Sequence, residues 1–185
     1  YYGILAREAE RLTRMVNNLL DFSRIEAGRK IYEPRAIDLA AVLSEVLDSY
    51  RYHLQRRGFE LEEKILSQVP LINADKEAVS QAFVNLLDNA VKYSEAHKHI
   101  TVALFRADPW VVIEVTDRGL GIEATQQQKI FDKFYRVEAV GRDTRGAGIG
   151  LALVQHVMAA HGGKVEVQSE LGKGSSFYLK FPISL

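Results

Sequence analysis

After residue 38 the apolar residues change period several times, from helical to strand-like and back, and this alternation constrains the fold more than any single motif. Leu39, Val42, Leu43, Val46, Leu47 and Tyr50 recur at helical spacing, with Asp38 placed to cap the first turn and Gly58 to end it. Phe59 to Ile65 alternates apolar and polar residues as a half-buried strand does. Asp75 opens a second helix carrying Val79, Phe83, Leu86, Leu87 and Val91. Ile100 to Phe105 and Trp110 to Thr116 are rich in β-branched and aromatic residues, and Asp108-Pro109 between them predicts a hairpin. A third helix is expected from Gly148 to His161, stopping at Gly162-Gly163. Lys164 to Gln168 and Ser176 to Ile183 form a last strand pair, turned at Gly172 to Gly174. Helices and antiparallel hairpins in this order predict an α+β chain, a two-layer α/β sandwich with helices on one face of a sheet. Residues 136 to 150 are charged and Gly-rich without clean periodicity, the pattern of a mobile loop.

Residues 1 to about 30 read as one long helix, and about 28 residues at 1.5 Å each span about 42 Å. Leu5, Leu12 and Leu19 repeat every seven residues, Met15 and Phe22 form a second row, and Ala9 and Val16 lie alongside. Gly28 is placed to cap its end, and Gly28 to Pro34 reads as a hinge. The expected division is therefore a helix over 1–30, a linker over 31–37 and a globular domain over 38–185. Composition removes several function classes. Lys+Arg and Asp+Glu are 24 each, so the chain lacks the basic footprint of a nucleic-acid binder or a polybasic membrane surface. With no cysteine there is no disulfide, no Cys-ligated zinc and no thiol chemistry. No apolar run reaches the roughly 20 residues of a membrane span, and no signal peptide is visible. The chain opens on Tyr1, as expected of a piece of a longer protein.

Five short blocks carry chemistry. In Asn85-Leu-Leu-Asp88-Asn89-Ala-Val-Lys92-Tyr93, residues 85, 89, 92 and 93 share one helix face. An amide oxygen can ligate magnesium, an ammonium can meet phosphate and a ring can cover a base, although such a stripe is also what a solvated helix face looks like. Asp117-Arg-Gly119-Leu-Gly121-Ile122 sets a carboxylate at a strand end beside a glycine turn, where it could accept from an exocyclic amine; a plain turn is the alternative. Gly146-Ala-Gly148-Ile149-Gly150-Leu151 leads into a helix whose backbone N–H groups suit phosphate, though the block is neither a P-loop nor a dinucleotide fingerprint. In Phe131-Asp-Lys-Phe134-Tyr135-Arg136 both Phe rings are expected to pack in the core, and Arg136 can fold onto a phosphate. Gly172-Lys-Gly174-Ser175-Ser176-Phe177 is a turn opening the last strand.

In this order and spacing the blocks resemble the N box, first glycine box, Phe box, second glycine box and third glycine box of the catalytic domain of two-component sensor histidine kinases. The segment ending Leu19-Leu20-Asp21-Phe22-Ser23-Arg24 resembles the second helix of that family's dimerisation and histidine-phosphotransfer hairpin. The resemblance implies a Bergerat-type ATP-binding fold shared with gyrase and the heat-shock chaperone ATPases. It implies ATP as ligand, with ADP as product, and Mg2+ held by Asn89, with Asn85 one turn earlier in the same site. Lys92 would face phosphate and Tyr93 would cover adenine. Asp117 would accept from the adenine amino group, and Gly119 and Gly121 would give room. Residues 132–147 would form a lid, Gly146, Gly148 and Gly150 would lie against phosphate, and Arg136 would reach the γ-phosphate. Ile122, Phe134, Tyr135, Ile149 and Leu151 complete the nucleotide contacts, and Ser176 offers a hydroxyl near adenine. Asn85, Lys92 and Arg136 are the implied catalytic residues.

Gyrase-like relatives carry Glu where this chain has Asn85. An amide cannot take a proton from water, so the site is expected to position ATP and hydrolyse it poorly. The implied phosphoacceptor is a His on the other hairpin helix, in the same or a partner subunit. None of His53, His97, His99, His156 and His161 sits in such a context. His97 and His99 read as an exposed loop, and His161 as a helix C-terminal residue. The remaining implied partners are a response regulator receiver domain and a second copy in a homodimer, with no nucleic acid and no membrane contact by this segment. The location would be cytoplasmic, on a parent anchored at the inner face of a bacterial membrane. Leu5, Leu12, Met15, Leu19 and Phe22 are expected to be exposed and to favour self-association. An anti-sigma-type serine kinase and a nucleotide-gated interaction module without catalysis are the alternative readings.

Overall fold

A computed structural model describes residues 13, 16–20, 22–94, 97–136 and 148–183. Residues 16–20 and 22–26 are helical. This N-terminal helical segment ends where Gly28 adopts φ +64°, its N–H donating to Ile25 O. Leu5, Leu12 and Met15 lie outside the described residues. The elements that follow are β1 (Arg35–Ile37), α1 (Leu39–Arg56), β2 (Glu60–Ile65), β3 (Ile72–Ala74), α2 (Lys76–Tyr93), β4 (His99–Ala107) and β5 (Trp110–Asp117). A 3-10 turn at Lys129–Phe131, α3 (Gly150–Ala160), β6 (Lys164–Glu170) and β7 (Gly174–Pro182) complete the chain.

Aspartates start the first two helices as their positions predict. The Asp38 side chain accepts from Ala40 N at 2.9 Å. Asp75 accepts from Glu77 N and Ala78 N through Oδ1, while its Oδ2 takes Glu33 N at 2.9 Å. That last bond fastens the segment before β1 to the start of α2. β1 pairs antiparallel with β3, Ile37 opposite Ile72, so the C-terminal part of the stretch read as a linker is a strand. Three-residue strands carry too little periodicity to be seen in sequence.

The main sheet has the order β2-β4-β5-β7-β6, with β2 and β4 parallel and the other pairs antiparallel. The parallel pair needs a crossover, and the segment containing α2 supplies it. Ile100, Val102, Leu104, Val111, Ile113, Val115, Phe177, Leu179 and Phe181 are buried at alternate positions. They meet the apolar faces of the helices, α1 beside β2, α2 over β5, and α3 beside β6 and β7. The intervening residues, among them Thr101, Glu114, Thr116, Ser176 and Tyr178, belong to the opposite face. Among the described residues no helix is long and apolar enough to cross a membrane.

Two histidines depart from expectation in detail. His99 lies in β4, with Nδ1 3.3 Å from Glu60 and Nε2 3.6 Å from Glu62, so only His97 belongs to the loop. His161 does end α3, but it is buried. Its Nε2 accepts from Asp75 N at 3.0 Å and its Nδ1 lies 2.7 Å from Val157 O.

Phe83 sits on α2 with no solvent exposure, at the centre of the helix–sheet layer. Phe83→Ala is expected to lower unfolding stability by about 3–5 kcal/mol, read by urea denaturation. A loss under about 1 kcal/mol would contradict this packing.

Candidate functional site

The C-terminal end of α2 meets the C-terminal end of β5, the middle strand of the sheet. Burial on the helix side brings Asp117, the last residue of β5, into the domain with 6% of its surface exposed. A carboxylate there needs donors. Gly119 N donates to Asp117 Oδ1 at 2.8 Å, and Ser94 Oγ donates to the same oxygen at 3.3 Å. Burial nevertheless raises the Asp117 pKa above the ordinary carboxylate range, against the lowering effect of the bonds from Gly119, Ser94 and the Ser175 backbone. A β-carbon at residue 119 would stand 2.3 Å from Tyr93 O, so only glycine permits this approach of the loop to α2. Leu120 N closes the junction by donating to Tyr93 O.

The polar edge of α2 runs from this junction toward the helix N-terminus. Tyr93, Lys92 and Asn89 are half-buried. Lys92 Nζ donates to Tyr93 Oη at 2.9 Å and lies 4.6 Å from that ring's centroid. Asn85 is buried, 8% exposed, which sets it apart from a solvated helix face. Its Oδ1 accepts from Asn18 Nδ2 at 3.1 Å. Among the described residues its Nδ2 has no acceptor.

The glycine turn before α3 packs against the same edge. Gly150, the first residue of α3, lies beside the Asn85 amide, and a β-carbon on it would be 3.5 Å from Asn85 Oδ1. Ile149, the N-cap position, is buried and offers no side-chain cap, so the first N–H groups of this helix lack a side-chain acceptor there. Leu151 is half-buried against the core. Gly148 has φ +68° and accepts from Phe134 N at 3.0 Å. Phe134 itself has φ +64°, a strained conformation for a non-glycine residue. Phe131 is in the core, but Phe134 is 61% exposed, which corrects the expectation that both rings pack there. Tyr135 packs half-buried against the core and Arg136 is exposed. Gly146, with the rest of the expected 132–147 lid from 137 on, lies outside the described residues.

Gly121 and Ile122 follow the Asp117 loop; Ile122 N donates to Ser169 Oγ at 2.8 Å. Ser176 is corrected by strand alternation. It pairs with Thr116, their hydroxyls 2.7 Å apart, on the face away from the helices. Ser175, opposite Asp117 in register and buried, is the serine on the site's side. Sequence reasoning also missed Ser94 and Asn18. The period-2 rule applied from buried Phe177 would have found Ser175, whereas no local signal marks the other two. The structure thus brings together Asn85, Asn89, Lys92, Tyr93, Asp117, Gly119, Gly148 and Gly150, with a buried acceptor at one end and, among the described residues, an unpaired donor at the other.

Residues 74–185 match the family of histidine kinase-, DNA gyrase B-, and HSP90-like ATPases, and the chain belongs to that family. Sensor-like histidine kinase SenX3 of Mycobacterium tuberculosis is 32% identical over 176 residues, covering 95% of this chain and 43% of SenX3. Adaptive-response sensory-kinase SasA of Prochlorococcus marinus is 30% identical over 181 residues, 97% of this chain and 48% of SasA. The chain therefore spans less than half the length of these relatives. Full-length ShkA, solved in complex with AMPPNP, aligns over 100% of this chain and 38% of its own at TM-score 0.82 and 30% identity. Histidine kinase AdeS of Acinetobacter baumannii, 22% identical with TM-score 0.77 over 100% of this chain and 84% of its own, shares the fold.

The raised Asp117 pKa has a consequence for stability. Between the unfolded and folded values the folded chain holds a proton that the unfolded chain has lost. This contribution is full in acid and is lost as pH rises through the raised value. Asp117→Asn keeps an acceptor oxygen and removes the charge. It should leave the chain more stable at about pH 8, with the difference vanishing toward about pH 3, in urea midpoints. A variant less stable at about pH 8 would contradict this.

Proposed function

We propose that this chain is the ATP-binding catalytic part of a two-component sensor histidine kinase, positioning Mg-ATP for phosphoryl transfer to a histidine supplied by another segment. The observation that carries this reading is the pairing of a buried, hydrogen-bonded Asp117 with the Asn85 Nδ2 donor, unpaired among the described residues, and the α3 N-terminus without a side-chain cap, joined by the polar edge of α2. Asn85 and Tyr93 are eight residues apart on α2, about 12 Å along the helix, a span suited to a nucleotide lying between a base site and a phosphate site. The bound nucleotide supplies the phosphoryl group. Asp117 would hold the adenine amine, and Tyr93 would lie beside the base. Lys92 and Arg136 would meet phosphate, and the α3 N-terminus would add backbone donors.

The donor set also fits magnesium. Among the described residues no group of three or more His, Asp or Glu side chains forms a metal cage. An octahedral ion bound through phosphate oxygens and water needs little more from protein than one oxygen, and Asn89 would provide it. Asn85 cannot serve as a general base, so the site favours alignment and charge neutralisation over hydrolysis. The acceptor must be brought in. His161 already bonds the α1–α2 side of the domain through Asp75, and His99 lies against Glu60 and Glu62. On this reading the segment 1–30 corresponds to the second helix of the phosphotransfer hairpin and 38–185 is the catalytic domain. The partners are that hairpin in the same or a second subunit and a receiver domain, and the chain works in the cytoplasm.

Calorimetric titration with ADP, with and without magnesium, tests the site. Magnesium-dependent binding is expected, weakened at least about tenfold by Asn89→Ala. A supplied histidine hairpin should then be labelled from ATP by the unsubstituted chain and not by the variant. Tight nucleotide binding without labelling of any hairpin would favour the interaction-module reading.

A further inference from the structure

The N-terminal helical segment reaches the site through a chain of amides. Gln81 Nε2 donates to Asn18 Oδ1 at 3.1 Å, and Asn18 Nδ2 donates to Asn85 Oδ1 at 3.1 Å. Each amide's orientation is set by the one before it, so the oxygen of Asn85 is engaged and its Nδ2 is the group left over. That nitrogen is buried and, among the described residues, has no acceptor. The carboxamide lies beside Gly150 through its oxygen, 3.5 Å from where a β-carbon would stand, at the N-terminus of α3, which has no side-chain cap. A buried donor without a partner is costly, and with the first N–H groups of α3 near the same carboxamide it points to an anionic acceptor.

The helical segment is held in place by further contacts from the same face. Phe22 meets Phe134 edge to face with centroids 6.0 Å apart, Glu26 pairs with Lys133, and the Lys133 ammonium lies 5.2 Å from the Phe22 centroid. Residues 18, 22 and 26 are spaced four apart and share one face. Val16, Leu19 and Leu20 are each 52% exposed. Among the described residues, Leu19 of the heptad row is thus left exposed, whereas Phe22 of the second row, expected to be exposed, is half-buried against Phe134.

We propose that Asn18 is a positioning residue: it fixes the Asn85 carboxamide so that Nδ2 donates to the terminal phosphoryl group of a bound nucleoside triphosphate. The proposal rests on the nucleotide reading of the site. A nucleotide anchored by its base at Asp117 extends its phosphates along α2 toward Asn85, so a diphosphate falls short of the contact that a triphosphate makes. Asn18 therefore confers preference for triphosphate over diphosphate, and it couples occupancy of the site to docking of the N-terminal helical segment.

The test is calorimetric titration of the full chain with ADP and with a non-hydrolysable ATP analogue. The chains compared are unsubstituted, Asn18→Ala, Asn18→Asp, Asn85→Ala and Asn18→Ala/Asn85→Ala. Asn18→Asp can still accept from Gln81 but cannot donate to Asn85. Asn18→Ala should weaken the analogue about fivefold and ADP less than about twofold. Asn18→Asp should lose the same preference. The double variant should bind the analogue no more weakly than Asn85→Ala alone, because Asn18 acts through Asn85. Equal losses for both nucleotides, additive losses in the double variant, or tighter analogue binding by Asn18→Ala would overturn the role of Asn18 and leave the nucleotide site standing. Binding of neither nucleotide by the unsubstituted chain would overturn the site and this inference together.

Discussion

A carboxylate taken out of water must find donors close by, and the way Asp117 finds them organises the site. It ends the middle strand of the sheet and takes bonds from Gly119 and Ser94. Ser94 is the residue that ends α2, so the same carboxylate ties the central strand to the helix carrying Asn85, Asn89, Lys92 and Tyr93. The loop after it can turn because Gly119 leaves space for the Tyr93 carbonyl. Burial raises the Asp117 pKa and weighs against folding at neutral pH, which is the usual relation between a functional acceptor and the scaffold that holds it.

The second organising constraint is the glycine turn at 148–150. It places the start of α3 against the α2 edge and anchors Phe134 in a left-handed conformation. Phe134 is therefore turned outward, where its ring meets Phe22 of the N-terminal helical segment. The strained Phe134 and Phe22 of the N-terminal helical segment are in direct contact. Asn18 and Glu26 add polar bonds and an ion pair from the same face, so the segment touches both the middle of α2 and Lys133, next to Phe134.

Much of this was legible in the sequence because it depends on period and on local chemistry. The caps at Asp38 and Asp75, the hairpin at Asp108-Pro109 and the core residues of α2 all follow from patterns a few residues long. The Asn, Asp and Gly positions were legible because their order and spacing, taken together, are specific. What was missed depends on tertiary contact. β1 and β3 are too short to show a period, and they exist because Asp75 and the chain before β1 are fastened together. Phe134 reads as a core residue by type, yet the Gly148 contact turns it outward. Ser176 is the hydroxyl that the resemblance implies near adenine, although buried Phe177 fixes the alternation and puts Ser175 on the site's side. Asn18 becomes visible only once Gln81 and Asn85 are seen one turn apart on a facing helix.

The central claim is that Asp117 reads the base of a purine nucleotide. Adenine offers an amino donor where guanine offers a carbonyl acceptor, and a buried carboxylate facing that carbonyl would leave two acceptors unpaired. The direct measurement is competitive binding of ATP and GTP to the unsubstituted chain. ATP is expected to bind about 100-fold more tightly or better. Equal affinities for ATP and GTP would contradict the claim.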